Sequence, residues 1–415
     1  MDAVNTKKKI LWMSDSTFLP TGFATISTNI IYRLKDKYDC NYLGHNFIGS
    51  FPPRTLPNGW FPKMPFNVIG CGKEPYCRDI LGPLTKKMRP DIFGVLLDTF
   101  MLQQSGFLQQ DLAPAKTVMY YPSDGGGGLP QTCENILRKF HHTVAMSKHG
   151  QKQVKDYYNI KSDYIPHACD TSLYKPANKE EIKKKWGLQG KFVVGTVARN
   201  QGRKMLDRTI KAFALFCQDK PDAILFMHTD PVDNAAVFDL RTLISRYSLQ
   251  NRVIFTGMNF YDGFPLDNMP DVYNAMDVFL LTTSGEGFGV PIIEAMACGV
   301  PVVATDYTTT PELVLQDGKA GEGVNIVGTE EVDMFDTDSH KYDILKSNGT
   351  ITGSWTVERG MMDIHDCADK LSRIYADEKL QKLYSRNGRA KAVKYYEWEA
   401  VMPKWEKLLQ KMTQD

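Results

Sequence analysis

Short apolar runs alternate with stretches of helical period along most of this chain. In the first half, runs at residues 10–13, 92–97, 117–121, 143–145 and 163–165 read as strands. Helical patterns are predicted between them over 24–34, 131–139 and 150–158. A second alternation starts with Phe-Val-Val-Gly-Thr-Val at 192–197. It runs through a predicted helix at 205–217, a strand at 223–227, a helix at 235–247, and strands at 253–255 and 278–281. Strands that take turns with helices predict parallel sheets covered on both faces. The polar, Lys-rich stretch 178–191 fits a connection, which divides the chain into domains at 1–180 and 190–385. Two doubly wound domains in series place a ligand crevice at the carboxyl ends of their strands, with a cleft between them.

Residues 328–360 break the pattern. They are acidic, turn-rich and weakly periodic, and are predicted to elaborate the second domain. Helices at 367–376 and 378–395 follow, and after Tyr396-Glu397-Trp398 a terminal helix closes the chain. The two halves share architecture without an internal sequence repeat.

Composition narrows the class. The 415 residues exceed one ordinary core, and 42% hydrophobic with 24% charged residues suits a soluble globular protein. A formal net charge of +2 provides no global field for nucleic acid or anionic membrane. Clusters such as Lys7-Lys8-Lys9 and Lys183-Lys184-Lys185 read as solvated faces. No apolar run reaches the ~18 residues of a membrane span, and the first fifteen residues lack a signal-peptide pattern. Eight scattered cysteines without a C-x-x-C pair are expected to be reduced and buried. A cytoplasmic location is therefore expected, with peripheral membrane association left open.

Chemistry concentrates in residues 282–306, TTSGEGFGVPIIEAMACGVPVVATD. An apolar strand leads into a loop carrying Gly285, Gly287 and Gly289, and Pro291 opens a helical pattern that Gly299 ends. A second strand follows at 301–305. Free N–H groups at such a helix start form an anion site, and glycines let a ligand come close. Glu286 and Glu294 lie eight positions apart across the loop, where both can accept from hydroxyls. Phosphate on the amides and hydroxyls on the carboxylates describe a sugar nucleotide.

The run Glu-Gly-Phe-Gly-Val-Pro-Ile-Ile-Glu-Ala-Met-Ala-Cys-Gly-Val-Pro-Val-Val resembles the donor site of family 4 retaining glycosyltransferases, unbroken across the motif. That resemblance implies the GT-B fold, an α/β arrangement of two Rossmann-like domains facing a cleft. Residues 1–180 would form the acceptor domain and 190–385 the donor domain, with helices at 386–415 returning to the first. It implies a metal-independent enzyme with no cofactor, moving a hexose from a nucleotide sugar, usually a UDP-sugar such as UDP-glucose, with retention. No convincing Asp-x-Asp diad stands against this. Glu294 would take ribose hydroxyls and Glu286 would lie nearer the transferred sugar. Gly287 and the backbone of Phe288, Gly289 and Val290 would bind sugar or diphosphate.

In Ala198-Arg199-Asn200-Gln201-Gly202-Arg203-Lys204, Arg199 and Lys204 match the family's two cations, which stabilise the leaving diphosphate. A guanidinium can contact phosphate through two donors, whereas Lys acts as a point charge. Arg203 is a further cation with no role in the pattern. Gly22, in Leu19-Pro20-Thr21-Gly22-Phe23-Ala24, resembles the first-domain glycine loop over the donor phosphate, although many members have two glycines there. The chain departs from the family where a His usually contacts the sugar. It has Val118-Met119-Tyr120-Tyr121-Pro122-Ser123-Asp124 followed by Gly125 to Gly128, so Asp124 becomes the candidate, with Asp98 second. Weaker matches lie at Ser147, at His167 to Asp170 and at Glu312.

The acceptor is not legible. A saccharide, a lipid, a protein side chain, a small molecule and a modified nucleic-acid base all fit. A nicotinamide dehydrogenase is disfavoured, because no G-x-G-x-x-G follows the first strand. A non-catalytic nucleotide-sugar sensor or scaffold remains the alternative, since the usual His is missing.

Overall fold

A computed structural model of the chain describes residues 7–19, 21–45, 64–74, 76–233, 236–259, 263–333 and 356–414. The expected helix at 235–247 is a helix at Leu240–Arg246, capped by Asp239, and Ala235 lies outside the described residues, as do 334–355.

The first domain is built on seven parallel strands: β1 (Lys9–Asp15), β2 (Asp39–His45), β3 (Asn67–Ile69), β4 (Ile92–Val95), β5 (Lys116–Tyr121), β6 (His142–Ala145) and β7 (Asp163–Tyr164). Their order is 3-2-1-4-5-6-7. Alternate residues of each strand feed opposite cores. Ile10, Trp12, Tyr42 and Tyr120 pack on one face, while Leu11, Met13, Phe93 and Met119 pack on the other. The sequence does not announce β2, whose Asp-Cys-Asn-Tyr-Leu-Gly-His has no apolar run, yet all of it after Asp39 is buried.

The second domain holds six parallel strands: β8 (Phe192–Val197), β9 (Ala223–His228), β10 (Val253–Phe255), β11 (Val278–Leu281), β12 (Val302–Thr305) and β13 (Gly321–Val324), in the order 10-9-8-11-12-13. In both sheets the order reverses at the centre, between β1 and β4 and between β8 and β11. Loops leaving those strands part there and open a crevice at the carboxyl ends. This is the GT-B architecture.

The irregular segment resolves, in its described part, into an antiparallel pair, β14 (Ile326–Asp333) and β15 (Thr356–Met362). The pair reaches the first domain, where Gly126 bridges Glu358 and its amide donates to the Glu358 carbonyl at 2.9 Å.

The Lys-rich connection belongs physically to the second domain. A helix at Lys179–Lys185, capped by Asn178, sends Lys179 and Lys183 to Asp277 at 3.1 and 2.7 Å, and Trp186 packs edge-on against Phe226. The return to the first domain starts later than residue 386. Helix Glu378–Tyr395 stays on the second domain, with Gly388 against Met296 and Ala320 and with Arg389 donating to the Ala297 carbonyl at 2.9 Å. The chain crosses at Tyr396 and Glu397, whose carbonyl and carboxylate accept from the amides of Cys169 and Thr171, each at 2.8 Å. Helix Trp398–Gln414 then lies on the first domain. Trp405 meets Trp12 and Tyr120 edge to face, at 5.6 and 4.9 Å between centroids. All eight cysteines are free and buried, and no described helix is long and apolar enough to cross a membrane.

Trp405 is fully buried, so Trp405→Ala removes a large apolar surface and leaves a cavity where the helix meets the first sheet. Denaturant unfolding of that variant is expected to show a loss of ~3–5 kcal/mol.

Candidate functional site

The loop after β8 and the loop after β11 are stitched together by backbone and side-chain bonds. The Ser284 amide donates to the Arg203 carbonyl at 2.7 Å, and Thr282 Oγ1 donates to the Lys204 carbonyl at 3.1 Å. These bonds set Lys204 Nζ against Glu286 Oε1 in a close ion pair, and bring Arg203 Nη1 within 3.3 Å of the same oxygen. Both Lys204 and Glu286 are buried. Burial opposes ionisation of Glu286, but Lys204 and Arg203 together outweigh it and hold the carboxyl below its ordinary range. Burial, aided by the Arg203 charge, lowers the Lys204 ammonium to about 8 against the pull of Glu286.

The first domain presses on this loop from across the cleft. A Cβ added to Gly285 would stand 1.9 Å from the Asp124 carbonyl oxygen, and one on Gly287 would stand 2.9 Å from Pro122 Cβ. Glycine is therefore required at both positions for the approach itself. Asp124 lies 3.8 Å from Arg203 Nε and 3.3 Å from Arg359 Nη2, while Arg359 Nη1 donates to its carbonyl. Burial works against the Asp124 charge, yet Arg359 and Arg203 prevail and hold it ionised. Asp98 has the opposite balance. Burial first, and the nearby Asp124 charge second, raise it to about 7, and its side chain leaves the helix Thr99–Gln104 behind it uncapped.

The remaining expected positions spread around this centre. Helix Val290–Ala297 starts at Gly289, which takes φ +100°, so Glu294 falls in the second turn rather than the first. Its carboxylate accepts from Tyr273 at 2.6 Å, and burial pushes it up to about 7. Phe288 is buried, stacks edge-on against His167 at 4.9 Å, and its carbonyl accepts from Thr309. Arg199 is not grouped with Lys204. It pairs with the buried Asp233, Nε to Oδ2 at 2.5 Å and Nη2 to Oδ1 at 3.1 Å. Gly22 is the first residue of helix Gly22–Leu34, behind the Thr21 cap, and a Cβ there would meet nothing within 4 Å.

Of the weaker matches, Ser147 caps helix Lys148–Tyr158 through the Gly150 amide. His167 is buried against the Tyr120 hydroxyl at 2.7 Å, and desolvation lowers it to about 3. Glu312 reaches across to the first domain, where it accepts from the Lys148 amide at 2.8 Å. Among the described residues no group of three His, Cys, Asp or Glu side chains could hold a metal ion. Sequence reasoning missed Arg359 altogether and left Arg203 without a role. Arg203 stands beside the motif Lys and was visible as a cation, whereas no local pattern marks Arg359.

Residues 178–335 match the family of glycosyl transferases group 1. A lipopolysaccharide core biosynthesis mannosyltransferase, LpsB of Rhizobium meliloti, is 33% identical over 183 residues, which are 43% of this chain and 49% of that protein. Mannosylfructose-phosphate synthase of Agrobacterium fabrum is 29% identical over 161 residues, 36% of this chain and 34% of that one. The chain thus spans about half, or less, of the length of these curated relatives. Whole-chain likeness lies in the fold. Sucrose-phosphate synthase of Thermosynechococcus elongatus superposes with a TM-score of 0.74 at 16% identity, covering 98% of this chain and 99% of that one. Anabaena HepE, in complex with UDP and glucose, superposes with a TM-score of 0.71 at 20% identity, covering 97% and 100%.

Gly285→Ala places a methyl group on the Asp124 carbonyl, so one of the two loops has to shift. Thermal or denaturant unfolding should show a loss of ~1–3 kcal/mol, the usual cost of overpacking a tight contact.

Proposed function

We propose that the chain is a retaining glycosyltransferase that moves a hexose from a UDP-sugar to a hydroxyl acceptor, without a metal ion. The observation that carries this reading is the ion-paired Lys204, Glu286 and Arg203 set, held at the carboxyl ends of β8 and β11 and facing Asp124 of the other domain. Breaking a glycosidic bond to a nucleoside diphosphate leaves negative charge on the phosphate and positive charge on the sugar. Lys204 and Arg203 supply cations to the first, with the helix start at Gly289 and Val290 offering amides beside them. Gly287 allows the first domain to close to van der Waals distance over the sugar. Glu286 and Asp124, both ionised, face the second charge and can accept from sugar or acceptor hydroxyls.

Glu294 takes the ribose hydroxyls in this reading. Arg199, fixed by Asp233 at the mouth of the same loop, steadies the loop and lends charge toward the diphosphate. Gly22, with its open first helical turn, is where the donor phosphate would meet the first domain. The UDP and glucose in the HepE complex and the group 1 match over the donor half support the donor class. Retention is supported by the unbroken Glu-Gly-Phe-Gly motif. In this reading the leaving phosphate takes the acceptor proton, so neither Glu286 nor Asp124 has to act as a covalent nucleophile.

The test is a donor screen, with nucleotide sugars added singly to purified protein and no acceptor. A thermal shift and slow hydrolysis confined to one sugar nucleotide, both diminished in Glu286→Ala with an intact fold, are expected. Binding without any turnover would move the chain to the sensor reading, and turnover unchanged in Glu286→Ala would remove Glu286 from the catalytic set.

Glu294 adds a pH signature. A carboxyl raised to about 7 is charged and able to accept two hydroxyls above that pH, and is neutral below it. Calorimetry with a nucleotide sugar, whose diphosphate does not titrate in this range, should show affinity falling from pH 8 to pH 6 by about tenfold relative to Glu294→Gln, which keeps the opposing titration of Lys204 near 8.

A further inference from the structure

The β14–β15 hairpin is wedged between the two halves of the site. On its inner strand the Gly360 amide donates to the Ser284 carbonyl at 2.9 Å, beside the Glu286 loop. Two residues earlier, the Glu358 carbonyl accepts from the Gly126 amide at 2.9 Å, in the first domain's glycine run. The Glu358 carboxylate is held in turn by the Tyr307 hydroxyl at 2.8 Å. Arg359 sits between these two anchors and is 2% exposed.

A buried guanidinium is costly unless its donors are matched. Arg359 Nη1 and Nη2 are spent on one residue, the Asp124 carbonyl and the Asp124 carboxylate, and among the described residues its buried Nε has no partner. The guanidinium grips the backbone and the side chain of Asp124 together, which a single point charge could not do.

We propose that Arg359 is a positioning residue, which fixes the Asp124 carboxylate of the first domain against the Glu286 loop of the second. Its effect on transfer passes through Asp124. The charges then run Arg359, Asp124, Arg203, Glu286, Lys204 in alternating sign, and the Asp124 carboxylate keeps its place against the Glu286 loop only while the hairpin is seated. The kinetic consequence rests on the transferase reading, whereas the seating of the hairpin does not.

The experiment takes Arg359→Ala and Asp124→Asn, singly and together, in the full chain. Hydrogen exchange needs no substrate. In Arg359→Ala the Gly126 amide is expected to exchange at least about tenfold faster, with the central strands of both sheets unchanged, as for a local opening. Unchanged exchange at Gly126 would overturn the seating role. Donor turnover supplies the second readout. Arg359→Ala is expected to lower kcat on the order of 10²-fold with donor KM within about threefold, the pattern of a lost transition-state arrangement. In the Asp124→Asn background the same substitution should change kcat by less than about twofold, because the two act as one unit. Multiplicative losses would show that Arg359 acts independently of Asp124 and would overturn the proposal. If the wild-type chain turns over no nucleotide sugar, the transferase reading fails, and the exchange measurement still decides whether Arg359 seats Asp124.

Discussion

The close pairing of Lys204 with Glu286, extended by Arg203 to Asp124, is the constraint on which the rest of the cleft depends. Four ionised side chains in a shielded space would be prohibitive if isolated, because each loses its hydration. Alternation of sign makes the set tolerable, and backbone bonds between the two loops hold the geometry that alternation needs. With Arg359 added, three cations face two carboxylates, which leaves one positive charge to be met by a ligand. A diphosphate is a suitable counterpart, and the amides at the start of helix Val290–Ala297 lie on the same side.

The scaffold supplies the rest by placing ends of chain, not by specific chemistry. Each sheet reverses its strand order once, and each reversal opens on the same cleft. Helix Trp398–Gln414 returns to the first domain and buries Trp405 against Trp12 and Tyr120, so the two halves are tied by apolar packing as well as by charge. Glu312 on the Lys148 amide gives a second polar tie. Such ties let the charged loops meet repeatedly in one register while each domain keeps its own core.

Much of this was legible in the sequence, because it is local. Strand, glycine loop, Pro and helix follow one another within 25 residues, and Glu286 and Lys204 could each be proposed from a local motif. What escaped was long-range. Strand β2 is buried by its neighbours and not by its own apolar content, so Asn41, Gly44 and His45 concealed it. Arg199 and Lys204 have equal standing in the motif, but Arg199 pairs with Asp233, 34 positions away, while Lys204 pairs with Glu286. Arg359 lies in Thr-Val-Glu-Arg-Gly, behind a stretch without period. Only the strand pairing of 326–333 with 356–362 reveals where it points. The return of the chain was placed ten residues early, because the long helix Glu378–Tyr395 carries the same polar surface on either side of residue 386.

The departure from the family's first-domain His acquires a physical meaning in this arrangement. A neutral His can donate or accept a hydrogen bond without help, whereas a carboxylate buried at the same end of β5 has to be kept ionised by cations from elsewhere. Asp98 shows what happens without close support: it lies near the same charges, but burial prevails and it rises to about 7. Asp124 escapes that outcome because Arg203 approaches it from the loop after β8 and Arg359 from strand β15. An Asp at this position and an arginine-bearing hairpin on the second domain are therefore one feature in two places. In this closed arrangement the charge that burial alone would suppress on Asp124 is kept by arginines of the second domain.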